Sequence, residues 1–181
     1  MTQELLKLLI PLEPGHAPRG AIRYALRRRA EGLDVRVALV HISPPLRGGD
    51  ILWFRTRDEV AAFRTQMAHT LLEEATAPLS AEGIPSRTEL LEGDPAFEAA
   101  DAAERLDSDE IVLPRQYPRW ISLLAGDAFA PLWHRQCDVP LVSVDEDGVP
   151  LRRKPAIVRA STIAGSTHAA SRRPDHPPAP G

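Results

Sequence analysis

Apolar residues in this chain are concentrated in short segments separated by longer ones. The first segment, from Leu5 to Leu12, is nearly continuous and stops at Pro14-Gly15. A short continuous run of this kind is typical of a parallel strand buried on both faces. A second strand is predicted at residues 34–42, where an alternating pattern becomes apolar, and further strands at residues 87–91, 110–113 and 139–144.

Between these runs, apolar residues recur at helical spacing. The first helix is predicted near residues 18–31. A second opens with Thr56 and Glu59, which have the spacing of a capping box, and a third opens with Asp94-Pro95, an N-cap and a first-turn proline. A fourth is predicted over residues 123–136. The buried face predicted for the second helix consists of Val60, Phe63, Met67, Leu71, Ala75 and Leu79.

The alternation of strands and helices predicts an α/β fold with a Rossmann-like, doubly wound parallel sheet and helices on both faces. A chain of 181 residues, 43% of them hydrophobic, can bury one full core. From about residue 147 the chain becomes rich in Pro, Arg, Ser and Ala, and apolar periodicity ends. We therefore predict one domain at residues 1–146 and a flexible tail at residues 147–181.

Composition limits which cellular compartment and which binding partners can be expected. The formal charge of −3 gives no reason to expect a bound polyanion, and the basic residues lack the clustering with aromatic residues that a nucleic-acid face needs. A single cysteine, Cys137, excludes an internal disulfide framework and fits a reducing compartment, so we expect a cytoplasmic protein. No signal peptide and no membrane-spanning run is found, so no membrane partner is predicted.

Four strings in order resemble the universal stress protein family. LLIPLEPG at residues 8–15 is similar to the family's first strand, and LVHI at residues 39–42 to the end of its second strand. The string at residues 91–113 resembles V-x-x-G-x-P followed by a helix and D-L-I-V-M. The string at residues 123–144 resembles L-L-L-G-S-V-A, a helix and C-P-V-L-V-V. The resemblance covers roughly residues 5–145. Its specificity comes from the four strings occurring together in this order and at these spacings.

The resemblance implies a five-stranded parallel sheet of strand order 3-2-1-4-5. It also implies a homodimer formed by pairing the last strands, here from Val139 to Val144, across a two-fold axis. The residues agree with this, because an apolar edge strand would otherwise leave backbone groups unpaired and open to aggregation. A further protein partner fits a regulatory role.

Members of the family that bind ATP carry G-x-x-G, nine residues and then G-[ST] after the fourth strand. Here Pro114 and Tyr117 stand at the two glycine positions. Eight residues, one fewer than in the pattern, separate Tyr117 from Gly126, and Asp127 replaces the Ser or Thr. At the end of the first strand, Glu13 corresponds to the adenine-side Asp of the family.

These changes oppose binding of a triphosphate. Pro114 has no N–H to donate, and Tyr117 adds bulk where backbone should approach a phosphate. Asp127 adds a carboxylate, and like charges in contact repel by about 1 kcal/mol even in bulk water. Arg115 and Arg119 lie in the same loop; they either offset this repulsion or are ordinary solvated charges.

The candidate site is therefore an altered nucleotide crevice. Its residues are Pro11, Glu13, Ile42, Arg115, Arg119, Gly126, Asp127 and Ala128. Within this set we favour Asp127 as a helix N-cap over a catalytic role.

Catalytic and metal sites are not predicted. No nucleophile–base pair is visible, and His134 with Cys137 supplies only two metal ligands. His41, within a strand, is interpreted as packed or hydrogen-bonded. Trp53 and Phe54 follow a Pro/Gly-rich connection, and two interpretations stay open: a cap on the core or dimer seam, or a lid over the crevice.

Three functions follow. The first is a homodimeric stress-response or regulatory module that does not bind ATP through the usual loop and has no robust enzymatic activity, with no cofactor. The alternative is a member that binds ATP or another adenine nucleotide, with weak ATPase activity, through Arg115 and Arg119. The third is a protein that binds another small ligand in the same crevice.

Overall fold

The computed structural model of the protein describes residues 4–12, 18–45, 56–114, 128–135 and 137–156. All structural statements concern these residues.

One continuous sheet of six strands organises the chain. The strands are β1 (Leu5–Leu12), β2 (Asp34–Ser43), β3 (Ser86–Glu92), β4 (Glu110–Pro114), β5 (Leu141–Val144) and β6 (Pro150–Lys154). Their order is β3-β2-β1-β4-β5-β6. The first five strands are parallel, while β6 runs antiparallel to β5. The predicted α/β class and the order of the first five strands are confirmed.

The sheet has one strand more than the five expected, and this is a correction to the sequence analysis. β6 lies within the segment that the composition predicts to be a tail. The reason is local, because a tight turn at residues 145–149 reverses the chain and returns it along the outer edge of β5. The remainder of the predicted tail, from residue 157, lies outside the described residues.

Helices cover both faces of the sheet. α1 (Arg19–Ala30) and α2 (Arg57–Ala81) pack on one face, and α3 (Pro95–Arg105) with a 3-10 helix (Ala130–Trp133) packs on the other. Both predicted helix starts are confirmed. The Thr56 hydroxyl accepts from the Glu59 N–H at 3.2 Å, and the Asp94 carboxylate accepts from the Phe97 N–H at 2.9 Å.

The buried face of α2 differs from the predicted one. Phe63 and Met67 are 52% and 41% exposed, so they do not line the core. Val60, Ala75 and Leu79 are buried as predicted, and Ala68 and Leu72 complete the buried stripe. A 25-residue helix with many apolar positions offers two overlapping stripes. The stripe with two alanines packs against the sheet, since small side chains permit a close approach.

The fourth predicted helix is also corrected within the described residues. Only Ala130–Trp133 is helical there, as one 3-10 turn. Pro131 contributes to this, because it lacks an N–H and disfavours the α conformation in the residue before it. The Leu132 N–H donates to the Phe129 carbonyl at 3.0 Å, which closes the short turn.

Candidate functional site

The candidate crevice lies at the carboxyl ends of β1 and β4. These two strands are neighbours at the centre of the sheet, and the chain leaves them toward opposite faces: β1 leads to α1, and β4 leads toward the 3-10 helix. This is the topological switch point of an open α/β sheet, where such folds bind ligands.

Pro11 and Ile42 come together at this end of the sheet. Pro11 is buried in β1 opposite Val40 of β2, and Ile42 follows two residues later with 3% of its surface exposed. Because side chains alternate along a strand, both project to the face covered by α3. They form an apolar wall beside the crevice.

Ala128 is partly buried and directly precedes Phe129, whose ring joins the core on the same face. The structure therefore places Pro11 and Ile42 on one face of the sheet, and Ala128 next to a core residue of that face. The other five, Glu13, Arg115, Arg119, Gly126 and Asp127, lie outside the described residues, as do Tyr117, Trp53 and Phe54.

Pro114 is the last residue of β4 and pairs with Val144 of β5. It stands where the chain turns from the strand into the loop that would approach a phosphate. A proline here removes one backbone donor and fixes φ. The candidate crevice thus has an apolar wall, but it has no backbone N–H at Pro114, where β4 ends.

His41 lies near the same edge but faces away from Pro11 and Ile42, toward α1 and α2. It is 3% exposed, and its Nε2 lies 3.3 Å from the Ser43 hydroxyl. Its Nδ1 has no hydrogen-bond partner among the described residues. Burial lowers the pKa of His41, and the Leu12 backbone offsets this only in part. The imidazole is therefore neutral at neutral pH.

A buried polar cluster lies beneath the same helical layer. The Tyr24 hydroxyl, on α1, donates to Glu110 Oε2 at 2.7 Å, and Arg153 of β6 donates to Glu110 Oε1 and to the Tyr24 oxygen, each at 2.9 Å. Tyr24 is 2% exposed and Glu110 8%. Burial, followed by the hydrogen bond to Glu110 and the charge of Glu110, raises the pKa of Tyr24 to about 12.

We name these three residues, Tyr24, Glu110 and Arg153, the Tyr–Glu–Arg cluster. The three side chains bond to one another and join α1, β4 and β6, so the arrangement holds these elements together. Sequence analysis missed it. The available signals were an acid opening an otherwise apolar strand and a tyrosine on the apolar face of α1.

His134 and Cys137 do not form a shared site. His134 is exposed, while Cys137 is 2% exposed, and burial raises the pKa of its thiol. A thiol held protonated is a poor nucleophile and a poor metal ligand. The described part of the chain contains no group of three His, Cys, Asp or Glu that could hold a metal ion. It also contains no helix long and apolar enough to cross a membrane.

An open, mostly parallel sheet with helices on both faces and a switch point between β1 and β4 defines a Rossmann-like α/β domain. The chain belongs to the universal stress protein family, because the model of that family matches residues 5–128. No curated protein sequence matches the chain significantly.

Solved structures of the family share the fold. A universal stress protein from Archaeoglobus fulgidus DSM 4304 has a TM-score of 0.61 and 18% identity, over 76% of this chain and 48% of that chain. A universal stress protein from Archaeoglobus fulgidus in complex with dAMP has a TM-score of 0.51 and 18% identity, over 77% and 97%. A family protein from Arabidopsis thaliana with AMP bound has a TM-score of 0.54 and 15% identity, over 77% and 91%.

This chain thus spans about half the length of the first of these proteins and nearly all of the other two. At such identities the likeness establishes the fold.

Proposed function

We propose that this protein is a cytoplasmic stress-response or regulatory module that does not hold ATP through the usual loop of its family. The observation that carries the proposal is Pro114 at the end of β4. A phosphate bound at such a position needs backbone N–H groups aimed at it, and Pro114 supplies none.

The sequence beyond β4 supports the same function. Tyr117 and Asp127 replace a glycine and a hydroxyl residue of the family's ATP pattern, so bulk and negative charge stand where a triphosphate would lie. No catalytic role is assigned to the crevice, and a regulatory module acts through the partner that it contacts.

Calorimetry with ATP, with and without Mg²⁺, tests this function. We expect no binding by the natural chain, and a gain of binding by the triple variant Pro114→Gly, Tyr117→Gly, Asp127→Ser. Pro85→Gly is the matched control, because Pro85 precedes β3 at the opposite end of the sheet. Micromolar ATP binding by the natural chain would contradict the proposal.

A second candidate function is binding of an adenine nucleotide with fewer phosphates. It is favoured by the complexes of the two relatives with dAMP and AMP, and by the apolar wall of Pro11 and Ile42. A single phosphate needs fewer donors, and Arg115 and Arg119 are the residues in the loop after β4 that would supply them.

Titration with AMP separates the two functions. Under the second, AMP binds, and Arg115→Ala or Arg119→Ala weakens binding at least about tenfold, the loss expected for a charge-assisted hydrogen bond. Arg36→Ala is the control, since Arg36 is exposed near the amino end of β2. Measuring phosphate release from ATP in the same samples tests the weak ATPase activity.

A further inference from the structure

A second concave site lies at the amino ends of the strands, about 16 Å along β1 from the candidate crevice. It is an open cleft of about 280 Å³ between the first residues of β1, β2 and β3 and the segment that follows α3. Lys7, Arg36 and Arg87 line it, one from each strand, and Leu106 and Ser108 line the other side. We call this site the amino-end cleft.

Sheet register places the three cations on one face of the sheet. Lys7 and Arg36 are direct partners in the parallel pair of β1 and β2. Arg87 is the partner of Ala38, the next residue of β2 on the same face. Because side chains alternate along a strand, all three project to the face that α3 covers, as Leu9 does. Neighbouring strands lie about 4.8 Å apart, so the like charges of Lys7 and Arg36 repel unless an anion lies between them.

Two acids lie beside Lys7. Its Nζ forms an ion pair with Asp107 at 2.6 Å, and its backbone N–H donates to the Asp109 carboxylate at 2.7 Å. The Asp107 side chain is 91% exposed, so water screens this ion pair and its net contribution is small. Lys7 therefore loses little when another anion replaces Asp107 as its partner.

Arg87 shares its acid with a second arginine. Glu89 accepts from Arg87 of the same strand, and from Arg105 of α3 at 2.6 Å. The hydrogen bond from Arg105, and then that from Arg87, lowers the pKa of the Glu89 carboxyl. One carboxylate thus serves two guanidinium groups. Each guanidinium has several N–H donors, so both retain donors for a further anion.

Arg36 is the cation of the cleft without a partner. Its guanidinium forms no hydrogen bond and no ion pair with any residue that the structure describes. Ala38 and Leu106 add apolar surface to the cleft, and the Ser108 hydroxyl is a further donor. A planar carboxylate is satisfied by one guanidinium, whereas a phosphate presents three oxygens to donors on several sides. Cations from three strands therefore suit a phosphate group.

We propose that the amino-end cleft binds a small phosphate-bearing molecule, with the phosphate held between Lys7, Arg36 and Arg87. Its volume sets the size of the ligand, because drug-sized ligands, a class that includes nucleotides, fill about 300–1,000 Å³. The ligand is therefore smaller than a nucleotide, either inorganic phosphate or a short phosphate ester. This site is independent of the function proposed for the crevice, since it lies at the other end of the sheet.

An NMR titration with inorganic phosphate at constant ionic strength tests the site. The natural chain should bind with a Kd of about 1 mM, and amide signals should shift at residues 7–8, 36–38, 85–87 and 106–108. Arg36→Ala should raise this Kd about tenfold, the loss expected for a charge-assisted hydrogen bond. Arg27→Ala is the matched control and should leave it unchanged. Arg27 is also exposed and without a partner among the described residues, but it lies on α1.

Two results of this titration would overturn the proposal. One is the absence of saturable binding by the natural chain at about 10 mM phosphate. The other is an equal loss of affinity in Arg36→Ala and Arg27→Ala, because binding would then follow the overall charge of the protein and not the cleft.

Glu89→Gln tests the same site through a gain of affinity, which a loss of folding does not produce. Removing this charge frees Arg87 and Arg105, so the affinity for phosphate should rise by about threefold or more. Glu73→Gln removes the same charge from an exposed position of α2 and should have no effect. An unchanged or weaker affinity in a folded Glu89→Gln chain would contradict the proposal.

A comparison of ligands identifies the source of the phosphate. Tighter binding of glycerol 3-phosphate than of inorganic phosphate assigns the cleft to a phosphate ester, and the reverse order assigns it to free phosphate. Acetate should bind at least about tenfold more weakly than either, and equal affinity would overturn the assignment to phosphate. Arg36→Ala should leave any binding of adenine nucleotides at the crevice unchanged, so failure here does not affect the function proposed above.

Discussion

At the scale of one residue, buried His41 makes the stability of this protein depend on pH. His41 is 3% exposed and its pKa is lowered by burial, whereas in the unfolded chain it titrates near its ordinary value of about 6.5. As pH falls through about 6.5, the unfolded state takes up a proton that the folded state does not. The protein therefore loses stability on acidification. The loss occurs between the pKa of His41 in the unfolded chain and its lower pKa in the folded chain.

Replacing His41 with Leu should remove this part of the pH dependence. Urea unfolding of the natural chain between pH 7.5 and 5.5 should show a loss of stability from this group of at most about 1.4 kcal/mol over the whole range, and the His41→Leu chain should lose less stability by that amount. His69→Leu, at an exposed site on α2, should keep the natural slope. Parallel slopes for the natural and His41→Leu chains would show that His41 does not titrate in this range.

Gly148 allows a second prediction at the scale of one residue, because Gly83 provides a matched comparison. Both have positive φ, +74° and +66°, but a Cβ on Gly148 would meet the Tyr24 backbone, whereas nothing lies within 4 Å of a Cβ on Gly83. Gly83→Ala should cost only the left-handed backbone strain, about 1–2 kcal/mol.

Gly148→Ala adds a backbone clash to the same strain and should cost roughly 3 kcal/mol or more. Chemical unfolding measures both. Equal costs would mean that the turn moves away from α1 without loss.

Among the elements, α2 tests how far local sequence decides where a helix begins. Thr56 and Glu59 bond reciprocally, at 3.2 and 3.1 Å, and so satisfy two N–H groups at the helix start. Thr56→Ala should lower the free energy of unfolding by about 1 kcal/mol. Thr70→Ala, at an exposed position inside α2, should be neutral or slightly stabilising, because alanine has the higher helix propensity. A Thr56→Ala chain as stable as the natural one would show that the cap contributes nothing.

The same helix shows why its start was predictable and its buried face was not. A cap depends on residues three apart in sequence, so T-x-x-E can be recognised without the fold. The choice between the Met67 stripe and the Leu72 stripe depends on how closely the sheet approaches, which no local pattern contains. Likewise, β1, β4 and β5 were predictable from their continuous apolar character, since buried parallel strands have that pattern.

β6 was missed for a different reason. Its residues are polar and proline-flanked, which is typical of a tail as well as of a terminating edge strand. Asp147-Gly148 after an apolar strand was the available hairpin signal. The Tyr–Glu–Arg cluster had no comparable signal, because its members are 86, 43 and 129 positions apart and meet only through sheet register. Pro11 and Ile42 lie on the same face near the carboxyl ends of β1 and β2, because parallel strands end at one edge.

At the scale of the whole molecule, these contacts join β6 to the sheet, so the described fold continues past residue 146. A chain that stops at residue 146 loses β6 and leaves Glu110 buried without its cation. Breaking a buried pair from one side costs about 3–5 kcal/mol, but Arg153 is 53% exposed, so water offsets part of this and we expect about 2–4 kcal/mol. A chain that stops at residue 156 keeps β6 and should match the full chain within about 0.5 kcal/mol.

Urea unfolding of the three chains decides between domain boundaries at 146 and at 156. If the domain ended at 146, both shortened chains would be as stable as the full chain. If the hairpin is part of the domain, only the shorter one loses stability. Glu110→Met in that shorter chain should then recover part of the loss, because the stranded charge is gone. Recovery would show that the penalty comes from the buried carboxylate, whereas no recovery would assign it to the uncovered backbone of β5.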